Sequence, residues 1–268
     1  MNKIDRWIAK HPRIVGALIG SLIAIVGVWW FSMGASGWLV YPFMLVAIFV
    51  LTVSASAAGR RLLKAPTKCL KEQCDPYPYM QEINVQRGYP GSGVVKQLRD
   101  CDYALTLCAI GEYEQSFALL TQINIDKYGS MLPLHKIIYY NNLMDLCALM
   151  GKHQEAVIWF EKMMQLFQDL KPGKQKEQLR KTVDANLAVY YFCRGEYDRT
   201  LYILSQAKPT NLSERVENAM MFARTYLAMG EAEKAVRPLR FVAENGNKLY
   251  CATEARELLA KINMEENE

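Results

Sequence analysis

The sequence predicts an all-α chain in two parts: an N-terminal transmembrane helical hairpin and a C-terminal α-solenoid of antiparallel helix pairs. Three observations carry this. Residues 14–59 contain no Asp, Glu, Lys, Arg or His. Basic residues crowd both ends of that stretch. After it, a helix–glycine–helix skeleton recurs four times. The expected organisation is a membrane hairpin over 1–63, a juxtamembrane linker over 64–93, and a repeat domain over 94–264 that ends in a capping helix.

The uncharged stretch divides at Ser32-Met33-Gly34-Ala35-Ser36-Gly37, a small, turn-prone sextet. The runs on either side, 14–31 and 38–58, are roughly 27 and 31 Å long as helices, which suits a hydrocarbon core of about 30 Å. Only a helix satisfies its own backbone bonds within lipid, and so short a connection makes the two spans antiparallel neighbours. Trp29, Trp30, Trp38 and Tyr41 gather at the turn, where aromatic rings prefer the headgroup level; Trp7 sits near the opposite interface. Pro42 falls in a first helical turn, where its missing N–H costs little.

Lys3, Arg6, Lys10 and Arg13 precede the first span, and Arg60, Arg61, Lys64 and Lys68 follow the second. The intervening turn is uncharged. Basic flanks stay on the cytoplasmic side, so the expected location is the cell membrane with two spans and both termini cytoplasmic. A cleaved signal peptide fits less well, because a second span follows the first directly. Gly16, Gly20 and Ala24 recur every four residues and make one face of the first span small enough for close helix packing. That face would serve the second span, or else a homo-oligomer or another membrane protein.

Net charge is +5, but residues 1–64 hold seven Lys and Arg against one Asp. The excess belongs to the membrane flanks, where it orients the hairpin and meets anionic lipid. The remainder has no basic stripe suited to phosphate backbones, so no nucleic-acid partner is expected. Seven scattered cysteines suggest thiols in a reducing compartment. Cys108, Cys147 and Cys193 precede helix-ending glycines and read as small buried hydrophobes. Cys69 and Cys74, with Cys101 and Cys108, match no common zinc spacing.

Residues 64–93 lose periodicity and carry turn chemistry at Ala65-Pro66, Cys74-Asp75-Pro76 and Gly88-Tyr89-Pro90-Gly91. Their apolar residues, Tyr77, Tyr79, Met80, Ile83 and Val85, suggest partial packing. From Val94 the chain reads as helix. The four copies pivot on Gly111, Gly151, Gly195 and Gly230, with Ser116, Ala156, Thr200 and Ala235 at the small position. Each glycine lets the chain leave its first helix through a left-handed cap. The small residues mark close helix crossings, and Leu120, Phe160, Leu204 and Leu239 fill the interface one turn later. One pair cannot bury its apolar side alone, so neighbouring pairs stack. Cys251, Ala255, Leu258, Leu259 and Ile262 make the last segment a capping helix, and the tail 265–268 is expected to be solvated.

This pattern resembles the tetratricopeptide repeat. The residues that carry the likeness are Asn142-Leu143, Gly151, Glu155-Ala156 and Phe160-Glu161-Lys162, then Asn186-Leu187, Tyr191, Gly195 and Tyr197. The glycines lie 40, 44 and 35 residues apart against about 34 in that family. Met144 stands where a small residue is usual, and the repeat-ending proline is mostly absent. The resemblance implies that the first helix of each pair lines a peptide-binding groove, with Asn142, Asp145, Asn186 and Arg224 toward it. Groove lysines are lacking at the matching positions, so capture of a C-terminal carboxylate is not implied.

No catalytic constellation stands out. His11, His135 and His153 sit in no metalloprotease frame, no phosphate-binding P-loop is present, and Gly91-Ser92-Gly93 is a lone turn opening a helix. No cofactor or metal is expected. The function these features suggest is a non-catalytic, membrane-anchored adaptor that binds a protein or peptide in the repeat groove. The rival is an accessory subunit of a membrane enzyme or transporter, associated through the hairpin.

Overall fold

The computed structural model describes residues 3–32, 40–125 and 133–265. The predicted turn at 33–37, the start of the second apolar run and the last three residues lie outside them. The described residues form thirteen helices and no strand. In order they are α1 (Lys3–Lys10), α2 (Pro12–Ser32), α3 (Val40–Gln73), α4 (Tyr77–Arg87), α5 (Gly93–Ala109), α6 (Tyr113–Thr121) and α7 (Pro133–Leu149). They continue as α8 (His153–Asp169), α9 (Lys174–Cys193), α10 (Tyr197–Gln206), α11 (Leu212–Ala228), α12 (Ala232–Asn245) and α13 (Tyr250–Glu265).

From α5 onward the helices pack in neighbouring pairs: α5 with α6, α7 with α8, α9 with α10, α11 with α12. The glycine at each pair's turn does what its sequence context requires. Gly111, Gly151, Gly195 and Gly230 have φ of 89°, 72°, 75° and 76°. Each turn closes with the same two bonds. The glycine N–H bonds to Cys108, Ala148, Phe192 and Leu227 in turn, and the next residue's N–H bonds to Leu107, Cys147, Tyr191 and Tyr226. This is the Schellman arrangement, which satisfies carbonyls that the helix end would otherwise orphan.

The small positions also repeat in detail. Ser116, Ala156, Thr200 and Ala235 are all buried, as are Leu120, Phe160, Leu204 and Leu239 one turn on. The Ser116 hydroxyl donates to the Ala104 carbonyl at 2.7 Å, and the Thr200 hydroxyl donates to Ala188 at 3.4 Å. Both bonds cross from the second helix to the first at the same register. The unequal glycine spacing has two sources: the 44-residue interval holds the long α8 and α9, of 17 and 20 residues, and the 40-residue interval holds the long connection 122–132 between α6 and α7.

Residues 64–93 are helical over most of their length, in place of the turns expected from their prolines. α3 continues through Pro66 to Gln73. Proline removes one rung of the ladder, but Leu62 before it is buried against Ala9, Ala58 and Tyr89, and Leu70 after it packs on the C-terminal core. Packing on both sides of the break outweighs the lost rung. A tight turn follows, with Cys74 at φ 52° and fully buried. Pro76 and Pro78 then sit at the start of α4, where a missing N–H is harmless. The Asp75 carboxylate accepts from the Tyr77 N–H at 3.2 Å.

Among the described residues no single helix is long and apolar enough to cross a membrane; Lys3–Lys10 and Ile14–Trp29, bent by 86°, meet that requirement only as a pair, by length and composition. α2 and α3 are neighbours. α1 packs on α3 and α4, where Arg6 pairs with Glu82 at 2.6 Å and Asp5 with Arg61 at 3.4 Å.

Two long-range contacts give the array its ends. The α3 terminus and the Cys74 turn join the core made by Val216, Met220, Ala223, Leu239 and Leu249. α13 reaches back to the first pair, where Tyr250 meets Tyr113 edge-on at 5.6 Å. A Cβ at Gly111 would lie 2.5 Å from the Tyr250 ring, so that contact also requires glycine.

Candidate functional site

The residues expected to face a groove lie on the first helices α7, α9 and α11. On α7 the polar face carries Asn141 and Asp145, one turn apart. Asn141 donates to Asp145 at 3.1 Å and accepts from Asn186 of α9. A polar row therefore links the two helices. Asn142 lies about 100° round the helix from Asn141. It is buried, and its Nδ2 has no hydrogen-bond partner. Asn186 is also buried, held by its bond to Asn141.

Arg224 of α11 is engaged by Glu254 of α13 through two bonds, at 3.1 and 2.6 Å. Two turns before it, Glu217 accepts from the Ser213 hydroxyl at 3.0 Å. Among the described residues neither Asp145 nor Glu217 has an ion-pair partner.

The charges of these groups act on one another across helices. The Asp145 carboxyl is pushed up to about 7, first by loss of solvation and then by the charge of Glu217, while the Asn141 bond pulls it back. Glu217 is raised chiefly by desolvation. Its side chain is still exposed to water. The Cys108 thiol is pushed up to about 12 by burial, and then by Asp145 and Glu217, with Arg224 opposing. Burial first, then the charges of Arg224, Cys108 and Glu254, also sets Tyr113, whose hydroxyl is raised. Groups on α5, α6, α7, α11 and α13 are thus electrostatically coupled.

Asn141, Glu217 and Glu254 were not singled out from the sequence. The spacing of four between Asn141 and Asp145, and of seven between Glu217 and Arg224, is the signal that places each pair on one helix face. Glu254 had no such signal, because α13 meets α11 only in three dimensions.

All seven cysteines are free thiols. Cys147 is fully buried, and Cys108 and Cys193 are partly so. Cys74 and Cys101 belong to different core clusters, and no group of three or more metal-ligating side chains comes together among the described residues. The Ser92 hydroxyl caps α5 by accepting from the Val95 N–H at 3.4 Å.

On α2, Gly16 is partly buried whereas Gly20 and Ala24 are exposed, and a Cβ at Gly20 would meet nothing within 4 Å. A groove of about 610 Å³ lies apart from these groups, on α3 beside the uncharged stretch.

No protein-family profile, no curated protein and no solved structure matches this chain.

Proposed function

We propose that the chain is a non-catalytic adaptor anchored in the cell membrane. A two-span hairpin, with both termini cytoplasmic, carries a tetratricopeptide-like solenoid that holds a protein or peptide partner in the recess between its first helices. Arrays of stacked helix pairs build continuous binding faces of this kind. The observation that carries the reading is the Asn186–Asn141–Asp145 row beside Glu217. The half-buried Asn141 amide has donor capacity left for a peptide backbone, and the carboxylates of Asp145 and Glu217, without cationic partners among the described residues, favour a segment bearing Lys or Arg. Anchoring raises the effective concentration against a membrane-bound client, so modest affinity suffices.

The test is capture from the native membrane. The full chain, cross-linked in cells and extracted in mild detergent, is expected to retain a partner that Asp145→Asn with Glu217→Gln releases. Recovery of the same partners by both forms would sink the groove assignment.

A second reading is favoured by the open space at Gly20. The chain would then be an accessory subunit of a membrane enzyme or transporter, with Gly16, Gly20 and Ala24 accepting a neighbouring helix. In that case the recess substitutions are silent and a bulky residue at Gly20 is not.

A further inference from the structure

We infer that the groove on α3 is the seat of an anionic phospholipid headgroup, and that α1 lies along the bilayer surface beside it. This rests on the membrane reading above and names a ligand for it.

The groove is lined by Ala57, Arg60, Arg61, Leu63, Lys64 and Thr67. Three cations and one hydroxyl converge there with no carboxylate in the lining. Their place on α3 is within about two turns of the last uncharged residues, which is the depth of lipid phosphates when the apolar run fills the hydrocarbon.

The cations divide by what already engages them. Arg61 is shared with Asp5 at 3.4 Å, and Lys68 outside the groove pairs with Glu72 at 3.5 Å. Arg60 and Lys64 have no ion-pair partner among the described residues, and both are exposed. A phosphate diester supplies the two acceptor oxygens that a guanidinium fork and an ammonium require.

α1 supplies the independent geometric support. It is bent 86° from the start of α2, so it runs in the membrane plane when α2 crosses. Its inner side, with Asp5 and Ala9, is buried against α3 and Tyr89. Its outer side presents Ile4 at 67 % and Trp7 at 44 % exposure, between Lys3 and Lys10. An indole and an aliphatic edge flanked by lysines is the composition of a helix that rests at the headgroup boundary. The Asp5–Arg61 and Arg6–Glu82 pairs then brace α1 to α3 and α4, so headgroup contact and the tilt of the repeat array are mechanically joined.

The experiment uses the full chain in nanodiscs of phosphatidylcholine and phosphatidylglycerol in equal amounts, with the lipids retained after detergent exchange measured by mass spectrometry. Phosphatidylglycerol should be enriched over the bulk, and Arg60→Gln with Lys64→Gln should cut that enrichment roughly tenfold. Lys68→Gln should leave it unchanged. Equal enrichment in wild type and the Arg60/Lys64 double variant overturns the site. Protection against thermal unfolding by inorganic phosphate alone, matching that from phosphatidylglycerol, overturns the lipid assignment in favour of a free-anion site. Alkaline extraction of the same preparations separates the two ideas: release of wild type into the supernatant removes the membrane reading itself. A chain that stays embedded without lipid preference removes only this inference.

Discussion

The Asn247 side-chain amide donates to the Gln73 carbonyl at 2.7 Å across 174 residues. Beside it the Lys248 N–H donates to Cys74 at 3.2 Å, and the Lys248 ammonium pairs with Asp75 at 2.7 Å. The end of the long helix α3 is thereby clasped by the turn before α13. A helix of 34 residues that begins in the uncharged stretch ends inside the core of the last pair, which makes it a strut rather than a tether.

The clasp predicts a graded response at Asn247, whose φ is 45°. Asn247→Gly keeps the left-handed backbone accessible but loses the bond, at a cost of about 0.5–1 kcal/mol. Asn247→Ala loses the bond and adds the left-handed penalty, about 1–2 kcal/mol more. Thermal unfolding of the full chain followed by circular dichroism should rank wild type, glycine, alanine. Equal melting of all three would show the clasp to be idle.

The four turn glycines are not equivalent. Alanine at Gly151, Gly195 or Gly230 meets open space and should cost about 1–2 kcal/mol from the left-handed backbone alone. Gly111→Ala also drives a Cβ into the Tyr250 ring and should cost at least about 1 kcal/mol more. Tyr250→Ala should reduce that excess in a double-mutant cycle. A Gly111 variant no worse than the others would place α13 away from the first pair.

Asp145 makes stability depend on pH with a definite sign. Its carboxyl titrates near about 7 in the fold and near about 3.9 when unfolded. A raised folded value means that the native state holds the proton more tightly. The contribution is full below about pH 4 and is lost as pH climbs toward about 7. Asp102, pushed up to about 6 by burial, acts in the same direction. Urea midpoints should therefore fall from pH 4 to 7, and Asp145→Asn should flatten most of the portion above pH 6. A slope unchanged in that variant would remove Asp145 from the recess as drawn.

Arg224 and Glu254 form a partly buried bidentate pair, so either alone is costly. Arg224→Ala or Glu254→Ala should each lower stability by about 1.5–3 kcal/mol, and the double variant by less than the sum. Strict additivity in chemical denaturation would mean that the pair is not formed in solution. A partner that uses Arg224 must first detach it from Glu254.

Gly20→Leu separates the two functional readings. The added side chain enters open space, so secondary structure and membrane retention should be unchanged. Loss of complex formation with the fold intact would favour association through the hairpin. Intact complex formation would leave α2 as an anchor only.

Much of this fold was legible because its information is local. A glycine after a periodic run demands a left-handed cap, and a small residue five positions on demands a close crossing. Those two facts located four helix pairs. Local rules misjudged 64–93, since Pro66, Pro76 and Pro78 suggest interruption to anyone who cannot see Leu62, Leu70 and Cys74 gripped by distant helices. At the candidate site, Asp145 and Arg224 were expected only through the family resemblance, while Asn141 differs from Asn142 by one residue and therefore by about 100° of helix rotation.

Within the four helix pairs the amino-acid order by itself determined where the chain turns and where helices cross, because backbone dihedrals and spacings of three and four are settled within a few residues. Tertiary structure alone decided that α3 ends in the last pair, that Tyr250 covers Gly111, and that Glu254 claims Arg224. Those partners stand 30 to 174 residues apart. No periodicity encodes such a meeting; it is chosen only when competing ways of burying the same apolar surface are resolved against one another.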